Sequence, residues 1–327
     1  MRLLICAQAV DQNDPTMGFF LTWIEALSKQ FEQVTVLCLR RGTYSLPPNV
    51  QVVWLGESRI MRAVRLVREA WRLRAQYDAV FVHQGQEFIV SAGWLWVLLH
   101  KPVYMWRNHF AGSVVTDFAA MWCRTIFCTS THSYTAKYKK TMLMPVGVDT
   151  ERFKPTGERT PGSVLFFARM SPSKYPETLV AALKQLTKEG IQYSATFVGS
   201  PLPKYARYYE SVKETAKELG SRVQFIAGIP NDQAPALYSA HQVFVNCSPS
   251  GMYDKTIFEA AASGCQSLAM SDDWRKLAGE EYYFKDEADL AEKLKVMLAR
   301  PEATLRPIVE SHSLSVLAGR LREIMTQ

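Results

Sequence analysis

The sequence predicts an α/β chain built of two doubly wound domains, and three observations carry that prediction. Short β-rich runs alternate with longer helical patterns, the alternation breaks off and restarts once near mid-chain, and 327 residues with 48% hydrophobic content can bury a sizeable core in each half. In the first half "RLLICAQ", "QVTVLCL", "VQVVWL", "DAVFVH", "KPVYMW" and "RTIFCTS" read as strands, most of them followed by a helical pattern. Strands separated by helices pair in parallel through crossover connections, so a doubly wound sheet follows. After the stretch 144–162, rich in Gly, Pro and charge, the theme restarts with "SVLFFAR", "YSATFVG", "RVQFIAG", "QVFVNC" and "CQSLAM". Helices are expected near 176–189, 204–219 and 254–263. Two Rossmann-like domains, 1–150 and 151–304, facing a central cleft are therefore expected.

Composition narrows the function classes. None of the six cysteines forms a C-x-x-C pair and most sit in apolar surroundings, which reads as reduced thiols in a cytoplasmic protein. "MRLLICAQAV" turns polar too soon for a signal peptide. The longest nearly apolar run, 88–99, falls short of the roughly 20 residues that a spanning helix needs. Residues 1–150 carry 16 Lys and Arg against 10 Asp and Glu, whereas 151–327 carry 22 against 21, so the basic excess lies in the first half. That half is expected to meet something anionic.

Ligands of open α/β sheets bind at the carboxyl ends of the strands. In the second half those ends are "ARMSPSK" (168–174), "VGSPLPK" (198–204), "AGIPND" (227–232) and "SGMYDKTIFEAAASG" (250–264). Arg169 and Lys174 are placed to clamp two phosphates, the one by its fork and the other as a point charge. The helix starting near Lys255 would add backbone N–H donors at its positive end. Glu259, one turn inside, suits paired sugar hydroxyls better than phosphate.

"MPVGVDTERFKP", "FFARMSPSKYPETLVAAL", "FVGS" and "VQFIAGIPNDQAPALYSAHQVFVNCSPSGMYDKTIFEAAASG" together resemble glycosyltransferase family 4, retaining enzymes with the two-Rossmann GT-B fold. The first half resembles it more loosely, through "DQNDPTMGFF", "DAVFVHQGQEF" and "KPVYMWRNHF". The resemblance implies that Arg169 and Lys174 bind the donor diphosphate, Glu259 the nucleoside ribose, and Gly18 the phosphates at close approach. It places His109 beside the transferred sugar. Gly199 and Ile229, on the loops after two strands of the second domain, and Lys255, Thr256 and Ile257, at the helix start, complete the donor-binding candidates. The family's first glutamate falls at Gly251, so Asp254 takes over the sugar contact or the sugar is held differently. The implied reaction is transfer from a UDP- or GDP-sugar to a glycan or lipid-linked acceptor in cell-surface polysaccharide or glycolipid synthesis, with no metal and no cofactor beyond the donor. The segment 305–327 is expected to be a helix packing back on the first domain, as in that fold family.

Other readings stand beside these. Asp254 is also a natural N-cap. His83 follows a strand and is read equally as a cleft-wall or a catalytic residue. A nucleotide-sugar epimerase or hydrolase of the same fold, or a non-catalytic nucleotide-sugar binder, are the alternatives; a dehydrogenase is disfavoured because no G-x-G-x-x-G follows the first strand. In 58–78 the helical spacing of Ile60, Val64, Val67 and Trp71 predicts the face that packs on the sheet, with Arg62, Arg65, Arg68 and Arg72 on another face. Those arginines are either simply solvated or hold the protein peripherally on the anionic inner face of the cell membrane. Nucleic acid is not expected, because no aromatic residues are interleaved for stacking.

Overall fold

A computed structural model describes residues 1–14, 16–250, 254–300 and 305–327, so Gly251 lies outside the described residues. The chain divides into two units, Met1–Gly147 with Leu314–Gln327, and Val148–Ser313.

In the first unit the chain runs through β1 (Arg2–Val10), α1 (Phe20–Ser28), β2 (Gln33–Arg41), β3 (Val50–Trp54), α2 (Arg59–Arg72), β4 (Ala79–His83), α3 (Gln86–Leu98), β5 (Val103–Trp106), α4 (Val114–Met121), β6 (Thr125–Cys128) and β7 (Thr141–Leu143). All the strands pair in parallel, in the order β3-β2-β1-β4-β5-β6-β7. The order reverses at β1, and right-handed crossovers on either side of that point put helices on opposite faces of the sheet. One apolar layer joins alternate residues of the strands to α1 and to the C-terminal helix (α12, Leu314–Thr326), through Trp23, Ile24, Leu317 and Leu321. The other joins the intervening strand residues to α2, α3 and α4, through Leu66, Ile89, Trp96 and Ala119. β1 is covered on both sides, so Leu3, Leu4, Ile5, Cys6 and Ala7 are all buried, the continuous apolar run expected of a central parallel strand. β7 is three residues long, too short to show a period, and was not among the strands expected from sequence.

The second unit repeats the plan with β8 (Thr160–Phe167), α5 (Pro176–Lys188), β9 (Ser194–Val198), α6 (Ala206–Ala216), β10 (Val223–Ile226), α7 (Ala234–Ser239), β11 (His241–Asn246), α8 (Lys255–Ala262), β12 (Gln266–Ala269), α9 (Asp272–Ala278), α10 (Glu287–Ala299) and α11 (Arg306–Glu310). Its parallel sheet has the order β10-β9-β8-β11-β12, again reversing at the first strand. All six cysteines are buried free thiols.

One expectation fails on α2. Ile60, Val64 and Trp71 do not pack on the sheet: they are 79%, 57% and 49% exposed, and only Val67 of that set is partly buried. The sheet-facing stripe is Leu66, Ala70 and Leu73, one helical turn apart, continued by Tyr77, whose hydroxyl donates to Ala70 O at 2.9 Å. Glu69 is buried beside that stripe and accepts from Arg72 at 2.6 Å. The helix carries two apolar stripes, and spacing alone does not say which one the sheet takes.

Gly199 shows how tightly the second sheet closes. It ends β9 at φ +150°, and a Cβ there would lie 1.9 Å from Ala168 O. Gly199→Ala is expected to lower stability by about 3 kcal/mol, from backbone strain plus a clash with a carbonyl that cannot rotate away. A guanidinium melt that superposes on wild type would contradict this.

Candidate active-site residues

In the second unit the chemistry-bearing side chains gather where β8 and β11 end. Lys174 lies on a single 3-10 turn after β8, followed by Tyr175 in a left-handed conformation at φ 49°. A side chain there costs about 1 kcal/mol or more of backbone strain, which persists only where the surroundings impose it. Lys174 Nζ donates to Asp254 Oδ2 at 2.5 Å and to Ser248 Oγ at 3.2 Å. Asn246, the last residue of β11, is buried; its Nδ2 donates to Asp254 Oδ2 at 3.1 Å and its Oδ1 accepts from Ser248 N–H at 2.9 Å. Asp254 is also the N-cap of α8, accepting from Thr256 N–H at 3.4 Å. Capping and charge pairing are thus the same carboxylate. Burial pushes the Asp254 pKa up, but Lys174 and the hydrogen bonds from Asn246 and Thr256 outweigh it and hold it below the usual range.

One turn into α8, Glu259 Oε2 accepts from the buried Tyr238 hydroxyl at 3.3 Å. Burial pushes the Glu259 carboxyl up, opposed by the charge of Lys255. Burial pulls the Lys255 ammonium down, opposed in turn by Glu259. Thr256 Oγ1 accepts from Asn246 Nδ2 at 3.3 Å, and Ile257 is buried beneath the helix. Arg152, which sequence reasoning passed over, adds positive charge near Glu259 and anchors its guanidinium on Asn231 O at 2.5 Å.

Arg169 stands apart. It is exposed, and among the described residues its side chain makes no hydrogen bond or ion pair. Gly199 N–H donates to Ile226 O at 3.0 Å, and Ile229 is half-buried on the loop after β10, next to Gly228, whose N–H donates to Ser200 Oγ at 3.0 Å. The second unit therefore joins Lys174, Asp254, Thr256, Lys255 and Glu259 in one cluster and leaves Arg169, Gly199 and Ile229 on neighbouring loops.

In the first unit His109 lies on the loop after β5. Its Nδ1 lies within hydrogen-bond distance of both Ala111 N–H, at 2.9 Å, and Ala111 O, at 3.2 Å, and the ring stacks on Phe110 at 4.7 Å. It lines an open pocket of about 380 Å³ with Gln8, Gln84, Arg107, Ala111, Gly112 and Ser113. Gln84 has φ 65°, a second strained backbone at a strand end. Arg107 is a residue the sequence reading missed. Its Nη2 donates to Ala111 O at 3.0 Å, its buried Nε has no acceptor among the described residues, and burial lowers its pKa. The pocket thus contains a partly desolvated guanidinium suited to an anionic group. His83 does not line it; the imidazole is buried against Phe19, Phe20 and Trp23, stacked on Phe20 at 4.1 Å. Gly18 closes the turn before α1, where a Cβ would lie 2.9 Å from both Asp14 O and Gln12 O, so only glycine fits.

Removing Lys174 would leave the Asp254 carboxylate, about one-sixth exposed, without its cation. Lys174→Met is expected to cost about 2 kcal/mol at neutral pH. Because Asp254 is held below its ordinary pKa, the pair's contribution is present above the carboxylate range and disappears as pH falls through the lowered value. The gap between variant and wild type should therefore narrow in urea melts at about pH 3. A gap that does not change with pH would exclude the ion pair as its source.

Residues 161–300 match the family model described as "Glycosyl transferases group 1". No curated protein matches the chain by sequence. Among solved structures the chain is similar to Anabaena Alr3699/HepE in complex with UDP, at 16% identity over 100% of both chains with a TM-score of 0.79. It is similar to the sucrose-phosphate synthase of Thermosynechococcus elongatus at 19% identity, over 99% of this chain and 98% of that one, with a TM-score of 0.75. It is also similar to the lipopolysaccharide outer core galactosyltransferase WaaB, at 12% identity over 100% of both chains with a TM-score of 0.71. The second unit is thus similar over residues 161–300 to the group 1 glycosyl transferases, and the chain as a whole has the two-sheet GT-B fold.

Proposed function

We propose that the protein is a retaining glycosyltransferase that moves a sugar from a UDP- or GDP-sugar to a glycan or lipid-linked acceptor in the synthesis of cell-surface polysaccharide or glycolipid. The observation that carries this reading is the cluster at the ends of β8 and β11, which lies inside the group 1 domain and assembles cationic, N–H and carboxylate groups in the combination that a nucleoside diphosphate requires. The structural likeness to proteins solved with UDP or UDP-glucose supports the same donor class.

In this reading Arg169 swings onto the diphosphate, since no hydrogen bond or ion pair among the described residues holds its side chain. Lys174 has three donors and uses two, on Asp254 and Ser248, which leaves one for a phosphate oxygen. The hydroxyl of Thr256 and the ammonium of Lys255, with Ile257 on the same first turn of α8, complete the anion site. Glu259 takes the ribose hydroxyls, with Gly199 and Ile229 lining the nucleoside. Charge grows on the leaving diphosphate as the glycosidic bond breaks, and these preorganised donors stabilise it more in the transition state than in the ground state. Retention follows if the acceptor attacks the face from which the diphosphate departs, its proton passing to a phosphate oxygen. By the family resemblance His109 serves the transferred sugar and Gly18 the phosphates, and Arg107 attracts an anionic group on the acceptor. The reading needs no metal and no further cofactor. Buried thiols without a disulfide suit the reducing cytoplasm.

Arg169→Ala is expected to lower turnover with UDP- or GDP-sugars by about a hundredfold while leaving thermal stability unchanged. Unchanged turnover would remove Arg169 from the diphosphate site, and sugar release that no acceptor accelerates would favour a hydrolase. Glu259 carries a second expectation. Its carboxyl is raised by burial, so it takes up a proton as pH falls through the neutral range and loses its power as an acceptor for two hydroxyls. Calorimetry should therefore find nucleoside diphosphate binding weaker at pH 6 than at pH 8, and the difference should shrink in Glu259→Gln. The same pH dependence in both proteins would assign it elsewhere.

A further inference from the structure

We propose that the first unit docks on a lipid bilayer by inserting the outer faces of α2, α3 and α4 into the interface. α3 packs against α2 on one side and α4 on the other, so the three helices form one layer over the sheet. A helix covering one face of a sheet ordinarily turns polar side chains outward. α3 does not: its outer residues include Val90, Trp94, Val97 and Leu98, the last 63% exposed. α4 continues the pattern with Val114, Val115, Phe118 and Met121, at spacings of three and four, of which Val114 is 81% and Met121 75% exposed. On α2 it is Ile60, Met61, Val64 and Trp71, the stripe that the sheet leaves uncovered. Together these side chains expose on the order of 1,000 Å² of apolar surface, against roughly 300–600 Å² for the largest patch on a typical monomer.

The charges select the occupant. Arg65, Arg68, Arg72 and Arg74 are exposed on or just beyond α2 beside the apolar stripe. The acids that would oppose an anionic surface are mostly committed. Glu69 is buried against Arg68 and Arg72, and Asp117 of α4 pairs with Lys137 at 2.7 Å and accepts from Tyr134 and Tyr138. Glu87, at the start of α3, is the exposed acid on these helices among the described residues. An apolar face with tryptophans and a basic margin matches the acyl boundary and anionic headgroups of a bilayer, where arginine stems lie along the apolar surface and their heads reach phosphate. A second copy of this chain would instead bring two basic margins together. The lip of the His109 pocket, Ala111–Ser113, runs straight into Val114 and Val115, so a lipid held in the bilayer would present its headgroup at the pocket mouth. That last point rests on the acceptor reading above; the docking does not.

Salt separates insertion from surface charge alone. In flotation with phosphatidylcholine–phosphatidylglycerol vesicles, wild type is expected to float at about 0.1 M salt and to keep a measurable part of its binding at about 1 M, where exposed charges are screened. Val97→Asp/Leu98→Asp should weaken binding at least tenfold at both salt concentrations with an unchanged melting temperature. Arg65→Gln/Arg68→Gln should weaken it at low salt only. Brominated acyl chains should quench wild-type tryptophan emission, and Trp71→Phe/Trp94→Phe should abolish most of that quenching, which decides the matter if the aspartate variant is unstable. Wild type that stays off anionic vesicles at low salt would overturn the proposal, as would equal flotation of Val97→Asp/Leu98→Asp. So would a dimer in light scattering that this variant dissociates while wild type ignores vesicles, which would give the face to a second copy.

Discussion

A parallel strand cannot pass to its neighbour through a tight turn; the chain must cross back over the sheet, and in both units it does so mostly as a helix. Every strand then ends on the same edge, and the loops that leave that edge are the ones free of the burden of covering the sheet. This constraint puts Lys174, Gly199, Ile229 and Asp254 on one side of the second sheet although up to 80 residues separate them. It puts Gln84, Arg107 and His109 together in the first. Helix α8 begins at that edge, so the positive end of its dipole faces the same way as the side chains around it.

Within that edge the electrostatics are tightly bound to the fold. Asn246, at the end of β11, orients Asp254; Asp254 caps α8 and fixes Lys174; Ser248 accepts a further hydrogen bond from the lysine. A loop after one strand is thus tied to the helix after another by charge, in a place where burial alone would neutralise the carboxylate. Glu259, one turn deeper, and Lys255, the first residue of α8, are each disfavoured by burial and each sustained by the other. Arg169 is the contrast: an exposed guanidinium with no engagement among the described residues, available to whatever anion enters.

The first sheet shows the other consequence of reversing strand order at β1. One face is closed by α1 and α12, chain segments nearly 300 residues apart, and the other by α2, α3 and α4 in sequence. The second set also carries apolar side chains on its outer surface, Val97, Leu98, Val114 and Met121 among them, beside the exposed arginines of α2. No helix among the described residues is long and apolar enough to cross a membrane.

By itself the sequence determined the class of fold, because strand and helix periods differ and their alternation admits few topologies. It also located the donor-side candidates, since strand ends can be read from where apolar runs stop. Tertiary structure decided what periodicity leaves degenerate. α2 carries two apolar stripes at helical spacing, and only the packing of Leu66, Ala70 and Leu73 on the strands shows which one is inside. Arg107 lies one residue past a strand like many other arginines, and only the walls around it make it a desolvated cation in a pocket. Lys174 and Asp254 were each singled out in the sequence, but their pairing spans 80 residues, and a distance of 2.5 Å exists only once β8 and β11 have paired. Local pattern is written in neighbours along the chain, whereas burial and charge pairing depend on neighbours in space.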